Sequence, residues 1–210
     1  MPRLALVAAL LAGALAVGAR PAWHLVQRAQ AADMARDIWS GWVERGQPAG
    51  GPIDGAVPAF WLRVPTAGID SLVLDTASGR NLAHFPCLER VPLAGARAPA
   101  RVVLGHRDSH FRPLDELAPG APVEIVHAGG GRERLAVTRR LVVPAGRAMS
   151  AVRDAVGGRA AGSLILMTCY PVRFIGPAPQ RLLLVAEPRP DAINGSARAR
   201  SWSRRHAGGA

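Results

Sequence analysis

The chain has 210 residues, enough for one domain with a real core plus appendages. It is 49% apolar but only 5% aromatic, carries a formal net charge of +11, and has no lysine, so its 26 Lys-or-Arg positions are all arginine. The arginines are scattered rather than gathered on one element, and few rings are present to stack on bases, which argues against nucleic-acid binding; chemistry that needs a lysine amine is excluded outright.

Residues 4–19 (LALVAALLAGALAVGA) are unbroken apolar and small residues between Arg3 and Arg20. Extended through Trp23 the run approaches the roughly 20 residues of a membrane span. Residues 1–22 therefore read as a transmembrane anchor, with a cleaved signal peptide as the rival, and either one exports the remainder. From Trp23 to Glu44, apolar Trp23, Val26, Met34, Ile38 and Trp42 fall near helical spacing, which predicts a helix packed on the domain. GQPAGGP (46–52) ends it as a linker, so 23–56 form a juxtamembrane helix and linker.

From 57 to 187 short apolar runs alternate with Gly/Pro punctuation: FWLRV, SLVL, RVVLG, VEIV, RLAVTRRLVV, SLILMT and RLLLVA. That is the pattern of a mainly β domain, a sandwich or a barrel. Short helices are expected near Pro113–Leu117 and Ser150–Val156, the second capped by Ser150. His84 to Ala100 reads as an irregular loop. The tail, 188–210, is polar and rich in arginine, a composition that reads as disordered.

Two stretches carry chemistry. In LMTCYP, Cys169 closes an apolar strand just before Pro171. Arg181 opens the next strand, beyond a Gly/Pro-containing segment, so antiparallel pairing would bring the two together. A cation beside a thiol favours the thiolate and can hold an oxyanion. In LGHRDSHF, His106 leaves the end of another strand after Gly105. A Cys and a His far apart in sequence is the pattern of a thiol nucleophile with its acid/base. His106 and His110 at i and i+4 also admit a zinc site, with Cys169 or Asp108, although Gly105 and Pro113 make a helix there doubtful. Ser109 lacks the G-x-S-x-G elbow of a serine nucleophile.

GHRDSHF, TCYP and an arginine heading the next strand resemble the sortases; FWLRVPTAGID, SLVLDTASGRNL and FRPLDELAPG are also similar, over about Val57 to Glu187. The resemblance implies an eight-stranded β-barrel with short helices, preceded by a membrane-anchor helix. It implies a cysteine transpeptidase with Cys169 as nucleophile, His106 as acid/base and Arg181 as substrate and oxyanion stabiliser, with Thr168 beside the substrate. The nearest subgroup is the proteobacterial class GN, similar to class D. Its members sit in a Gram-negative inner membrane as single-pass proteins, with the catalytic domain facing the periplasm. The implied partners are an exported protein bearing a C-terminal LPXTG-like sorting signal and an amine acceptor that the sequence does not identify. No cofactor or metal is called for; Asp75, Glu116 and Glu124 are the acids that a calcium site could use. Arg173 is a second cation near the cysteine. The competing readings are a non-enzymatic periplasmic barrel with a Cys87–Cys169 disulfide, and an L,D-transpeptidase-like thiol enzyme, whose S-x-G-C setting is absent.

Overall fold

A computed structural model describes residues 32–45, 54–96, 98–156 and 162–189. The apolar N-terminal run, the linker at 46–52 and the tail beyond 189 lie outside them. Among the described residues no helix is long and apolar enough to cross a membrane.

Eight strands close into one barrel. They are β1 (Pro58–Val64), β2 (Ile69–Leu74), β3 (Cys87–Val91), β4 (Ala100–Leu104), β5 (Pro122–Val126), β6 (Arg132–Pro144), β7 (Leu164–Tyr170) and β8 (Gln180–Pro188). The order around the barrel is β1-β2-β3-β4-β7-β8-β6-β5, and β5 pairs back onto β1. Most neighbours are antiparallel; β2 and β3 meet in parallel at Leu74↔Cys87, and β4 and β7 run parallel, with Arg101 to Leu104 opposite Leu164 to Met167. A parallel pair needs a crossover, and here the chain between them makes β5, β6 and helix α3 (Ala148–Val156).

Period-two alternation sorts the apolar residues into an interior and two flanks. Phe60, Leu62 and Val64 of β1, Leu164 and Leu166 of β7, and Leu182, Leu184 and Ala186 of β8 fill the barrel. The intervening Ile165, Met167, Leu183 and Val185 point outward, and α3 covers them with Ala148, Val152, Ala155 and Val156. On the other flank Trp61, Leu72 and Leu74 lie under helix α1 (32–45), which contributes Ala35 and Ile38. β6 serves both sides because a bulge between Val137 and Arg139 switches its parity: Leu135 and Val137 face in before it, Val142 after it, while Leu141 and Val143 join α3.

Several sequence expectations need correction. His84–Ala100 is not wholly irregular: β3 pairs antiparallel with β4 from Cys87↔Leu104 to Val91↔Ala100. Its middle residues, Glu89 and Arg90, are exposed, so it shows no apolar run. A one-and-a-half-turn helix, α2 (Gly79–His84), was not anticipated; the Ser78 side chain caps it by accepting from the Asn81 N–H. Ser150 is not a cap. It lies inside α3, and its hydroxyl donates to the Arg147 carbonyl. On α1 the buried stripe uses Ala35 and Ile38, whereas Met34 is exposed. The helix expected near Pro113 is a 3₁₀ turn, Arg112–Glu116.

Candidate active site

Alternation along β7 decides where the cysteine points. Thr168 continues the inward set, and Cys169 continues the outward set of Ile165 and Met167. Cys169 is half-buried, at the end of β7, where α3 no longer covers the strand completely. Directly across the ladder stands Arg181, the first arginine of β8. Opposed side chains on one sheet face lie about 4.5–5.5 Å apart at Cβ, so sulfur and guanidinium share one patch of surface. The Arg181 guanidinium donates through Nη1 to the carbonyls of Ala178 (3.0 Å) and Gln180 (2.8 Å), which fixes its stem against the β7–β8 connection.

His106 reaches the same end of the sheet through β4. In the parallel register Leu104 stands opposite Met167, and the Gly105 N–H donates to the Met167 carbonyl at 3.2 Å. His106 lies two residues beyond the last pair of that register, at the same end of the sheet as Cys169. The Thr168 hydroxyl locks the junction by donating to the Gly105 carbonyl at 2.8 Å. Thr168 is 3% exposed, so its side chain serves this joint rather than the solvent side of the groove. His106 itself is exposed.

Gly105 is dictated by a close approach. A Cβ there would sit 2.6 Å from the ring of Phe111, which folds back over the glycine and is wholly buried. The Phe111 N–H donates to the His106 carbonyl at 3.0 Å and closes the loop. The spacing of GHRDSHF therefore has a mechanical meaning: the phenylalanine anchors the turn that aims the histidine.

The remaining members of that loop face elsewhere. His110 Nε2 bonds the His84 carbonyl at 2.8 Å, which ties the loop to α2, and Ser109 Oγ lies 3.3 Å from His110 Nδ1. Among the described residues no three His, Cys, Asp or Glu side chains gather as a metal site. The acids considered for calcium are dispersed: Asp75 accepts from the Val57 N–H, and Glu124 pairs with Arg63 and Arg132. The larger cavity, about 310 Å³, lies under α1 between Ile69, Phe85 and His110 and includes none of Cys169, His106 or Arg181.

The two sulfurs are free, so the expected alternative of a Cys87–Cys169 bridge is overturned. Cys87 is 0% exposed and belongs to the cluster beneath α1, whereas Cys169 faces the α3 flank. Burial pushes the Cys87 thiol up to about 12, against the weaker opposing hydrogen bond from the Ser78 backbone. It is an inert hydrophobe.

Residues 171–179 connect β7 to β8 after a cis Tyr170–Pro171 bond. Arg107, which sequence reasoning passed over, bonds two carbonyls of this connection, those of Phe174 (2.9 Å) and Gly176 (2.7 Å). One arginine among many carries no signal in the sequence when its partners are backbone atoms. Arg173 is exposed and lines a small cavity with Arg112, Asp115 and Glu116.

The family model for the sortase domain matches residues 62–189, more than half of the chain. The chain belongs to the sortase family. Solved sortases share the fold. The Clostridium perfringens sortase D5 transpeptidase matches with a TM-score of 0.50 at 14% identity, covering 63% of this chain and 79% of that one. Listeria monocytogenes sortase A gives 0.50 at 16% identity, covering 63% and 87%. Streptococcus agalactiae sortase C1, in its complex with MTSET, gives 0.52 at 16%, covering 79% and 90%. No curated protein matches by sequence. The eight-stranded barrel expected from the motifs is thus the observed one, and it is the barrel of cysteine transpeptidases that act on proteins bearing sorting signals.

Proposed function

We propose that this sortase joins proteins through a thioester on Cys169. The observation that carries the reading is the direct cross-strand pairing of Cys169 with Arg181, at the end of the sheet where β4, paired with β7 up to Leu104↔Met167, leads into the His106 turn. The Cys169 thiolate attacks a backbone carbonyl of a C-terminal, LPXTG-like sorting signal, forming the S–C bond. The carbonyl oxygen takes the negative charge of the tetrahedral intermediate, and the Arg181 guanidinium faces it. His106, protonated, gives its proton to the departing amine as the C–N bond breaks. The thioester then meets an incoming amine; His106 takes that amine's proton, the new amide forms and the thiolate returns. Thr168 contributes by holding Gly105, and so the start of the histidine turn, against β7.

The motifs GHRDSHF and TCYP support a class GN or class D-like assignment. With it goes a division into a membrane anchor at 1–22, a helix and linker at 23–56, a catalytic barrel at 57–187 and a basic tail at 188–210. In this arrangement the barrel stands on the periplasmic face of the inner membrane. Incubation with a sorting-signal peptide and an amine-bearing acceptor tests the reading. It predicts a ligated product that is lost in Cys169→Ala. Ligation that survives in Cys169→Ala would refute it.

A further inference from the structure

Arg107 follows His106 directly, yet its partners lie 67 and 69 residues away, on the connection between the cysteine strand and the arginine strand. One nitrogen, Nη2, donates to the carbonyls on both sides of Ile175, at 2.9 Å to Phe174 and 2.7 Å to Gly176. The guanidinium carbon also sits 5.8 Å from the centre of the Phe174 ring. The second terminal nitrogen, Nη1, is shut off from solvent and meets no acceptor among the described residues. A surface arginine free to choose would swing that nitrogen into water; this one is held where it is despite the cost.

The connection has little else to fix it. Strand pairing stops at Tyr170↔Gln180. Phe174 is largely exposed and Ile175 is 100% exposed, so neither contributes to a core. Gly176 adopts a positive φ of 91°, a freely turning point in the segment. At its far end the segment is tied by Arg181 to Ala178 and Gln180, and by the Ala145 N–H to Pro179. Its middle depends on Arg107.

We infer that Arg107 is a positioning residue, a clamp that fastens the 171–179 connection to the histidine turn so that His106, Cys169 and Arg181 keep one mutual geometry. The inference rests on the transpeptidase reading only for the roles given to His106 and Cys169. Three polar ties then span the groove: Thr168 to Gly105, Arg107 to the connection, and Arg181 to the same connection. A lysine offers one compact ammonium in place of a planar fork stacked on a ring, and replaces the clamp only in part.

The test compares the wild type with Arg107→Met, which keeps an apolar stem, and Arg107→Lys, at matched melting temperature and without any peptide substrate. The first readout is tryptic cleavage after exposed Arg173, one residue before the clamped carbonyl. The second is the rate of Cys169 alkylation at pH 7 relative to that at pH 10, read by peptide mass. Loss of charge-assisted hydrogen bonds is expected to speed the cleavage about tenfold in Arg107→Met. In the same variant the ratio of the two alkylation rates is expected to change several-fold, as the connection between the cysteine and arginine strands loosens, with Arg107→Lys intermediate in both. Unchanged cleavage in Arg107→Met overturns the clamp. Faster cleavage with an unchanged alkylation profile overturns the positioning role. Neither arm requires a sorting signal, so failure to find a peptide substrate bears on the transpeptidase reading alone.

Discussion

Cys169 and Arg181 face each other across the β7–β8 ladder as direct register partners. The pairing makes their approach a property of sheet geometry, not of a loop that must fold correctly around a ligand. Strand registry is strongly specified here because each strand sends alternate residues into the barrel and under α3. A one-residue slip would turn Arg181 toward the barrel interior.

The first prediction concerns that pair. Arg181→Ala removes the cation proposed to face the developing oxyanion and also frees the carbonyls of Ala178 and Gln180. Formation of the acyl-enzyme should slow by about 10²–10³, the usual cost of one oxyanion donor. Arg181→Lys should recover only part of it, since a lysine keeps the charge but not the planar guanidinium whose Nη1 is tied to both carbonyls while its other N–H groups stay available. Single-turnover kinetics on both variants check this; an Arg181→Ala rate equal to wild type would remove Arg181 from the mechanism.

A second prediction separates the sulfurs. In the folded protein iodoacetamide at neutral pH should label Cys169 and spare Cys87, whose thiol is pushed up to about 12 by burial. In urea both should react. Because the folded value lies above the unfolded one, the neutral buried thiol stabilises the fold below the unfolded pKa, and that contribution fades as pH rises toward the folded value. Two protected sulfurs in the native protein would restore the disulfide reading.

The third prediction is for stability at the far end of the barrel. Glu133 accepts from both terminal nitrogens of Arg101, at 3.0 and 2.8 Å, and lies 2.7 Å from His127 Nε2. Arg101 in turn donates to the carbonyls of Ser163 and Gly162 at the start of β7. Burial alone would raise the Glu133 pKa, but the hydrogen bonds and charge of Arg101, then of His127, outweigh it and hold the carboxyl below its ordinary value. A depressed folded pKa stabilises the protein above the unfolded value and is lost as pH falls through the folded one. Glu133→Gln should therefore cost about 1–2 kcal/mol at neutral pH, discounted for partial exposure. Its gap to wild type should narrow in acid, as urea unfolding at several pH values would show. A gap that stays constant with pH would contradict the network.

The residues of the candidate site could be picked out before the fold was known, for a physical reason. Cys169, His106 and Arg181 each lie at a strand end, where an apolar run meets Gly or Pro, and such boundaries are written in local composition. The strands β7 and β8 were equally visible as unbroken apolar runs, because their residues are buried on both sides. β3 was hidden because Glu89 and Arg90 occupy its exposed middle, so its apolar content is split into Cys87–Leu88 and Val91. Ser78 and Ser150 show the limit of cap reading: both precede plausible helical residues, but only Ser78 adopts extended backbone and accepts the helix N–H. Arg107 was beyond reach because its partners are main-chain carbonyls on a distant segment. The same holds for Gly105, whose necessity appears only when the Phe111 ring is seen lying 2.6 Å from where a Cβ would stand.

The central claim is that Cys169 carries the acyl group. Intact-mass analysis after brief mixing with an LPXTG-like peptide, at low acceptor concentration, measures it most directly. The account predicts a single adduct equal to the acyl portion of the peptide, mapped to Cys169, released by neutral hydroxylamine and absent from Cys169→Ala. An adduct of the same mass on Cys169→Ala, or one that maps to another residue, would contradict it.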